Sequence, residues 1–400
     1  ASTAADGYAR ITHKASVVMC HLGPGLTNVL TGVANASLDS IPMVAITGQV
    51  PSNLLGRDIF QEVDITGTVA AFSKHSYLVK DAAELPRIIS ESFHIASTGR
   101  PGPVLIDVPI DVQEQVVFDP VFPEGVNIRG YHPSVRGNDK QITHVVNAIA
   151  TAQRPVICAG GGVFLSNALL ELETFAARTR IPVVTTMMGL SLLPTDHPLN
   201  MGMIGTHGNA CANKALAKSD LLIMIGTRAA DRAIFSPQEI QRRMPSIHID
   251  VDPAEIGKNI QTEIPLVGDV KVILRQLLDR NTKAPDSAAW LEMLRDYRKA
   301  ELGRVFPSRP GYVFPGTFLR KLGARLDEDA IVCADVGQNQ IFTCKYLPQK
   351  RGRFLTSGGM GTMGCAIPAA MGAKIACPEK QVIAVCGDGS FQMSMMELAT

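Results

Sequence analysis

Residues 382–394 read VIAVCGDGSFQMS. Four apolar residues and a cysteine run into a Gly-Asp-Gly turn, and a helix-like stretch follows. A continuous apolar run of this kind suits a parallel strand buried on both faces. Glycines at its end let the backbone approach a ligand closely. The same unit recurs upstream. Apolar runs stand at 16–20, 42–47, 104–108, 155–158, 182–186, 221–225, 246–251 and 331–333. The segments between them show helical spacing. After Asp81, for example, Leu85, Ile88, Ile89, Ser92 and Ile95 share one face. The alternation predicts an α/β fold of doubly wound parallel sheets with helices on both sides.

Two stretches break the rhythm. Residues 119–138 (DPVFPEGVNIRGYHPSVRGN) hold three prolines and no period, as an extended linker would. Residues 280–315 form a second connection around one amphipathic helix with Trp290, Leu291, Leu294 and Tyr297. Three domains follow: 1–118, 139–280 and 315–400, the first and third incomplete. A chain of 400 residues has room for them.

Composition narrows the function classes. Lys and Arg number 38 against 37 Asp and Glu, and 46% of residues are hydrophobic. That balance disfavours nucleic acid or an anionic membrane surface as the main partner, since both call for a basic excess. No apolar run is long enough to span a bilayer. The eight cysteines are scattered without a CxxC pair, which points to buried reduced thiols rather than a zinc site.

In open parallel sheets, ligands bind beyond the carboxyl ends of the strands. Three turns there carry chemistry. Gly387-Asp388-Gly389-Ser390 offers backbone N–H groups and a hydroxyl to a phosphate, and Asp388 is a hard oxygen ligand suited to Mg²⁺. DVGQNQ (335–340) follows the run IVCA. SGGMGTMG (357–364) opens the helical stretch CAIPAAMGAKIA, as a diphosphate site would. Any one of the three alone also fits a plain strand-to-helix turn or tight helix packing.

Together they resemble the diphosphate-binding domain of thiamine-diphosphate enzymes, and within that group the acetolactate synthase catalytic subunits. The resemblance extends over the chain: AADGYAR, GPGLTN (23–28), DSIPMVAITGQVP (39–51), GRDIFQEVD (56–64), KHSYLV (74–79) and GRPGPVLIDVP (99–109) in the first domain, and GGG (160–162), GTHG (205–208), GTRAADR (226–232), IDVDPAEIGKN (249–259) and GDV (268–270) in the second.

The resemblance implies roles. Asp388 would hold Mg²⁺. Gln338, Gly361, Gly387, Gly389 and Ser390 would face the diphosphate, and Met363 would support the bent cofactor. Phe60, Gln61 and Lys74 match positions at the entrance and floor of the active site. Arg100, His207, Gly208, Arg228, Arg232, Asp250, Asp269 and Val270 match positions around an FAD that takes no redox part in the synthase reaction. Two departures stand out. Ile110 replaces a usual lysine, and Ala229-Ala230 lies where the family commonly has Phe-Asp.

The implied activity is decarboxylation of pyruvate and its joining to a second pyruvate or to 2-oxobutyrate, in branched-chain amino-acid biosynthesis. A homodimer or homotetramer is implied, with a small regulatory subunit common in the family. The location would be cytoplasmic, or the stroma or matrix of an organelle. The family's catalytic glutamate aligns just ahead of Ala1 and a second Mg²⁺ ligand aligns beyond Thr400, so residues 1–400 alone are expected to be inactive. Glyoxylate carboligase, a thiamine-dependent pyruvate oxidase or decarboxylase, and a non-catalytic nucleotide-binding scaffold are the alternatives. GRDIFQEVD and KHSYLV favour the synthase.

Overall fold

The computed structural model describes residues 1–234, 236–280, 282–283 and 286–400. The chain forms two compact units: 1–132 with 355–400, and 133–354.

The first unit begins with helix α1 (Ser2–Thr12), strand β1 (Ser16–Cys20), helix α2 (Pro24–Asp39), β2 (Met43–Gln49), β3 (His75–Leu78), helix α3 (Leu85–Ser97) and β4 (Pro103–Pro109). The sheet order is β1-β2-β4-β3, and all pairs are parallel. Every residue of β4 is buried, Asp107 among them, as expected of an inner strand of a parallel sheet. The edge strand β3 reads HSYL and escapes the sequence expectation because polar and apolar residues mix in it. Proline at the first turn of α2 costs no hydrogen bond there. In α3, Ile88, Ser92 and Ile95 are buried as expected, but Ile89 is exposed, so the core-facing stripe is narrower than its apolar spacing suggests.

The second unit is built on β5 (Pro155–Ala159), β6 (Val183–Thr185), β7 (Asn200–Met203), β8 (Leu221–Ile225), β9 (Ser246–Asp250) and β10 (Ile264–Val267). They form one parallel sheet in the order β10-β9-β8-β5-β6-β7. Strands β7 and β10 were not legible. The first contains Asn200 and Gly202, and the second is a short edge strand holding Pro265. Helix α4 (Asp139–Thr151) is capped by Asn138, whose side chain accepts from the Lys140 N–H at 3.0 Å. Asp269 caps α5 (Val270–Asp279), accepting from the Val272 N–H at 3.1 Å and from Ser166 Oγ at 2.7 Å. Asp269→Ala is therefore expected to cost about 1–2 kcal/mol, measured as a lower urea midpoint.

Helix α6 (Ala288–Leu302) buries Trp290, Leu291 and Leu294, while Tyr297 is half-buried. Trp290 Nε1 donates to the Pro155 carbonyl at 3.0 Å. The helix of the expected connection thus belongs to the core of this unit. Strand β11 (Ile331–Ala334), helix α7 (Gln338–Tyr346) and the short β12 (Arg353–Leu355) follow, with β11 and β12 as hydrogen-bonded neighbours. Residues 315–354 are grouped with this unit and 355–400 with the first.

The first unit is completed by helix α8 (Ala366–Ala376), strand β13 (Val382–Val385) and helix α9 (Asp388–Ser394). Helix α8 lies against α1 with backbones nearly touching. A Cβ on Gly372 would overlap the Ala4 carbonyl, and one on Gly7 would overlap that of Ala369. All eight cysteines are free thiols. Burial pushes Cys158 up to about 12 and Cys211 up to about 11, so both stay protonated and inert at neutral pH.

Candidate active site

The carboxyl ends of β1, β2 and β4 support a loop that carries Phe60 and Gln61. Gly23, just beyond β1, has φ +51°, and a Cβ there would overlap the Gln61 carbonyl. Gln61 itself has φ +63°, a left-handed conformation uncommon for a non-glycine residue. Such conformations persist only where the surroundings hold them, and they concentrate at functional sites. Here Glu62 closes the loop by accepting from the N–H groups of Gly56 and Ile59. Gln49 Nε2 donates to the Val63 carbonyl at 3.0 Å. Phe60 is left 85% exposed at the tip, outside the core of the unit.

Beneath this loop, buried Asp107 accepts from Thr47 Oγ1 at 2.8 Å and from Gln49 Nε2 at 3.1 Å. Burial lifts its carboxyl to about 6 from an ordinary 3.8, partly offset by those two hydrogen bonds and reinforced by Asp64. The folded protein therefore holds this proton more tightly than the unfolded chain. The resulting stabilisation is complete below the unfolded value and disappears as pH rises through the folded one. Asp107→Asn is expected to flatten the fall in stability across that window, read from urea midpoints of variant and parent at matched pH.

The glycine-rich segment 357–364 and the Gly387–Ser390 turn come together in the same unit. A Cβ on Gly389 would stand 3.6 Å from Met363 Cε, so the methionine's methyl lies against that backbone. Gly361 has φ +68° with open space around its Cα. Asp388 is exposed at the start of α9, directly after β13. Ser390 is buried, and its hydroxyl exchanges hydrogen bonds with the Gly387 N–H and carbonyl at 3.0 and 3.2 Å. It shapes the turn and does not point outward. Gln338 opens α7 after Gly337 (φ +111°) in the second unit.

Lys74 and Arg100 are placed elsewhere. Lys74 precedes β3, at the amino ends of the strands, opposite Phe60 and Gln61. Its Nζ donates to the carbonyls of Ile95 and Thr98 (2.7 Å for the latter) and to Tyr131 Oη at 2.9 Å. It ties the β3 edge to the end of α3. Arg100 lies at the same end, and its Nε donates to Ser40 Oγ at 2.9 Å.

In the second unit, His207, Gly208, Arg228, Arg232, Asp269 and Val270 follow the carboxyl ends of β7, β8 and β10, and Asp250 is the last residue of β9. That is the edge where a nucleotide would lie. Gly160, Gly162 and Gly226 let the β5 and β8 turns meet without side chains, since a Cβ on Gly226 would stand 2.8 Å from Gly162 Cα. His207 and Arg232 are exposed. Asp269 is already engaged by Ser166 and Val272. A separate cavity of about 260 Å³ lies between β7, α6 and α7, and none of these seven residues lines it.

Three family models match: thiamine pyrophosphate enzyme N-terminal TPP binding domain at residues 1–68, central domain at 142–277, and C-terminal TPP binding domain at 335–400. The chain is 43% identical to the probable acetolactate synthase large subunit of Methanocaldococcus jannaschii, over 100% of the chain and 69% of that protein. It belongs to the acetolactate synthase large-subunit family of thiamine pyrophosphate enzymes. The large subunit of Corynebacterium glutamicum is 45% identical over 100% of the chain and 64% of its own length. That of Lactococcus lactis is 40% identical over 99% and 68%. The chain thus spans about two thirds of the length of these relatives.

Membership gives three parallel-sheet α/β domains, in accord with the sequence expectation. Within this acetolactate synthase family chain, sequence reasoning missed Asp107 and the buried cluster of Arg10, Asn35 and Asp39. Asp39 stands in a quoted motif, but nothing in its neighbours signals a partner more than 300 positions away.

Proposed function

We propose that the protein carrying this chain joins 2-oxo acids with thiamine diphosphate and Mg²⁺, making 2-acetolactate from two pyruvates, or its homologue from pyruvate and 2-oxobutyrate. The observation that carries the reading is the meeting of Met363 with the Gly389 backbone beside an exposed Asp388. That arrangement fits the cofactor: a hard oxygen donor for Mg²⁺, unhindered glycine backbone for a diphosphate, and an apolar methyl to support a ring. Bound thiamine diphosphate supplies the electron sink for the decarboxylation.

The chain's own residues supply binding and orientation. Asp388 would hold the metal. Gly361, Gly387 and Gly389 would admit the diphosphate. Ser390 would act by shaping the turn. Phe60, at an exposed loop tip, would screen the reacting centre from water, and Gln61 would orient the substrate. Among the described residues no helix is long and apolar enough to cross a membrane.

Further proposals rest on family membership. The domains are 1–118, 139–280 and 315–400. FAD would bind at the carboxyl edge of the central sheet, with His207, Gly208, Arg228 and Arg232 as its contacts. The protein would act as a homodimer or homotetramer, with a small regulatory subunit as partner, in the cytoplasm or an organelle's stroma or matrix.

The test is product analysis with the complete reading frame. Acetolactate from pyruvate that requires thiamine diphosphate and Mg²⁺ would support the proposal. Tartronate semialdehyde from glyoxylate, with no acetolactate from pyruvate, would replace it with the carboligase.

A further inference from the structure

Asp39 ends α2, far in sequence from the glycine-rich segment 357–364, yet it holds that segment's backbone. Its carboxylate accepts from the Gly359 N–H at 2.7 Å and the Gly358 N–H at 3.1 Å. Arg10 Nη2 completes its shell at 2.7 Å. Arg10 in turn bonds Asp6, one turn earlier in α1. Asp6 accepts from Asn35 Nδ2 at 3.0 Å, which fixes that amide so that its oxygen receives the Ser357 hydroxyl. Ser357 Oγ then accepts from the Thr362 N–H at 2.9 Å.

The charged side chains of this network have almost no access to solvent: 4% for Arg10, 2% for Asp6 and 0% for Asp39. Burial alone would lower the Arg10 guanidinium's pKa, but Asp6 and Asp39 outweigh it and raise it, so the cation is secure. Buried charge is a poor way to gain stability, because desolvation offsets most of the attraction. It is an effective way to fix geometry, because each charge has one satisfied arrangement. What this network fixes is four residues of the glycine-rich segment: Ser357, Gly358, Gly359 and Thr362. Met363 follows directly and lies against Gly389. Gly359 must be glycine for this approach, since a Cβ would stand 2.8 Å from Leu38 Cβ.

We infer that Asp39, clamped by Arg10, is a positioning residue for thiamine diphosphate, acting through the glycine-rich segment and Met363. The inference rests on the function proposed above. Asp39 touches neither cofactor nor substrate in this assignment. Its effect is to hold the cradle in its binding conformation before the cofactor arrives.

The test is calorimetric titration of the complete protein with thiamine diphosphate and Mg²⁺, alongside turnover at saturating cofactor. Asp39→Asn is expected to weaken cofactor binding about tenfold, equivalent to about 1.4 kcal/mol, with kcat at saturation nearly unchanged. Glu171→Gln is the control. Glu171 is likewise a buried carboxylate on an arginine, Arg275 at 2.8 Å, but it stands in the second unit outside this network, and its effect on cofactor affinity is expected to be much smaller. Arg10→Lys keeps the charge and loses the fork, so it should weaken binding in the same direction. It decides the matter if Asp39→Asn does not fold. Unchanged affinity in Asp39→Asn (or in Arg10→Lys where that variant decides), or equal losses in Asp39→Asn and Glu171→Gln, would overturn the inference. Absence of binding by the parent protein would instead overturn the functional reading beneath it.

Discussion

Asp388→Ala in the complete protein is expected to lower acetolactate formation about 100-fold or more, on the scale of losses from metal-site mutations. Asp388 is exposed at the first position of a short helix, and its carboxylate meets no hydrogen-bond partner among the described residues. Removing it leaves packing intact and costs about 1 kcal/mol at most through the helix dipole. The activity loss would therefore come from the cofactor site and not from unfolding. Circular dichroism and the urea midpoint check the fold, and titration with Mg²⁺ and thiamine diphosphate checks the site. A folded variant with parental activity would remove Asp388 from the metal site.

Gly372→Val is expected to be the most damaging change away from the site. The α1 and α8 backbones leave no room for a side chain at Gly372 or at Gly7. Valine's branched side chain would force the helices apart, and overpacking of this kind costs about 3 kcal/mol or more where backbone must move. Because α8 leads from the glycine-rich segment, cofactor binding should weaken together with stability. The comparison variant is Gly125→Val, where the added atoms meet open space and the midpoint should barely move. Equal midpoints for the two variants would contradict the close packing.

Several features were legible because they are local. The apolar runs that became β4, β5, β8 and β9 lie within single strands, and full burial leaves a signature that needs no partner, whereas β1 leaves Val17 and Met19 exposed on one face. The glycine-rich turns were legible for the same reason, since glycine at a strand end already suggests close approach. Edge strands such as β3 and β10 were missed because one side faces solvent or loop and the apolar pattern weakens.

The arrangement of the candidate site was less legible than its local turns. Met363 lies against Gly389 and Phe60 stands exposed, neither of which follows from the sequence. Lys74 stands at the other end of its sheet, held by backbone carbonyls and Tyr131, a contact between residues 57 positions apart. Ser390 has the hydroxyl of a phosphate ligand, yet the turn uses it internally. The Asp39 network joins residues more than 300 positions apart, and no periodicity in one sequence encodes that.

The most direct measurement is binding of thiamine diphosphate to the complete protein, by calorimetry with and without Mg²⁺, before any assay of turnover. The account predicts saturable binding that depends on Mg²⁺ and is lost in Asp388→Ala. A folded protein that takes up no thiamine diphosphate with Mg²⁺ present would contradict it.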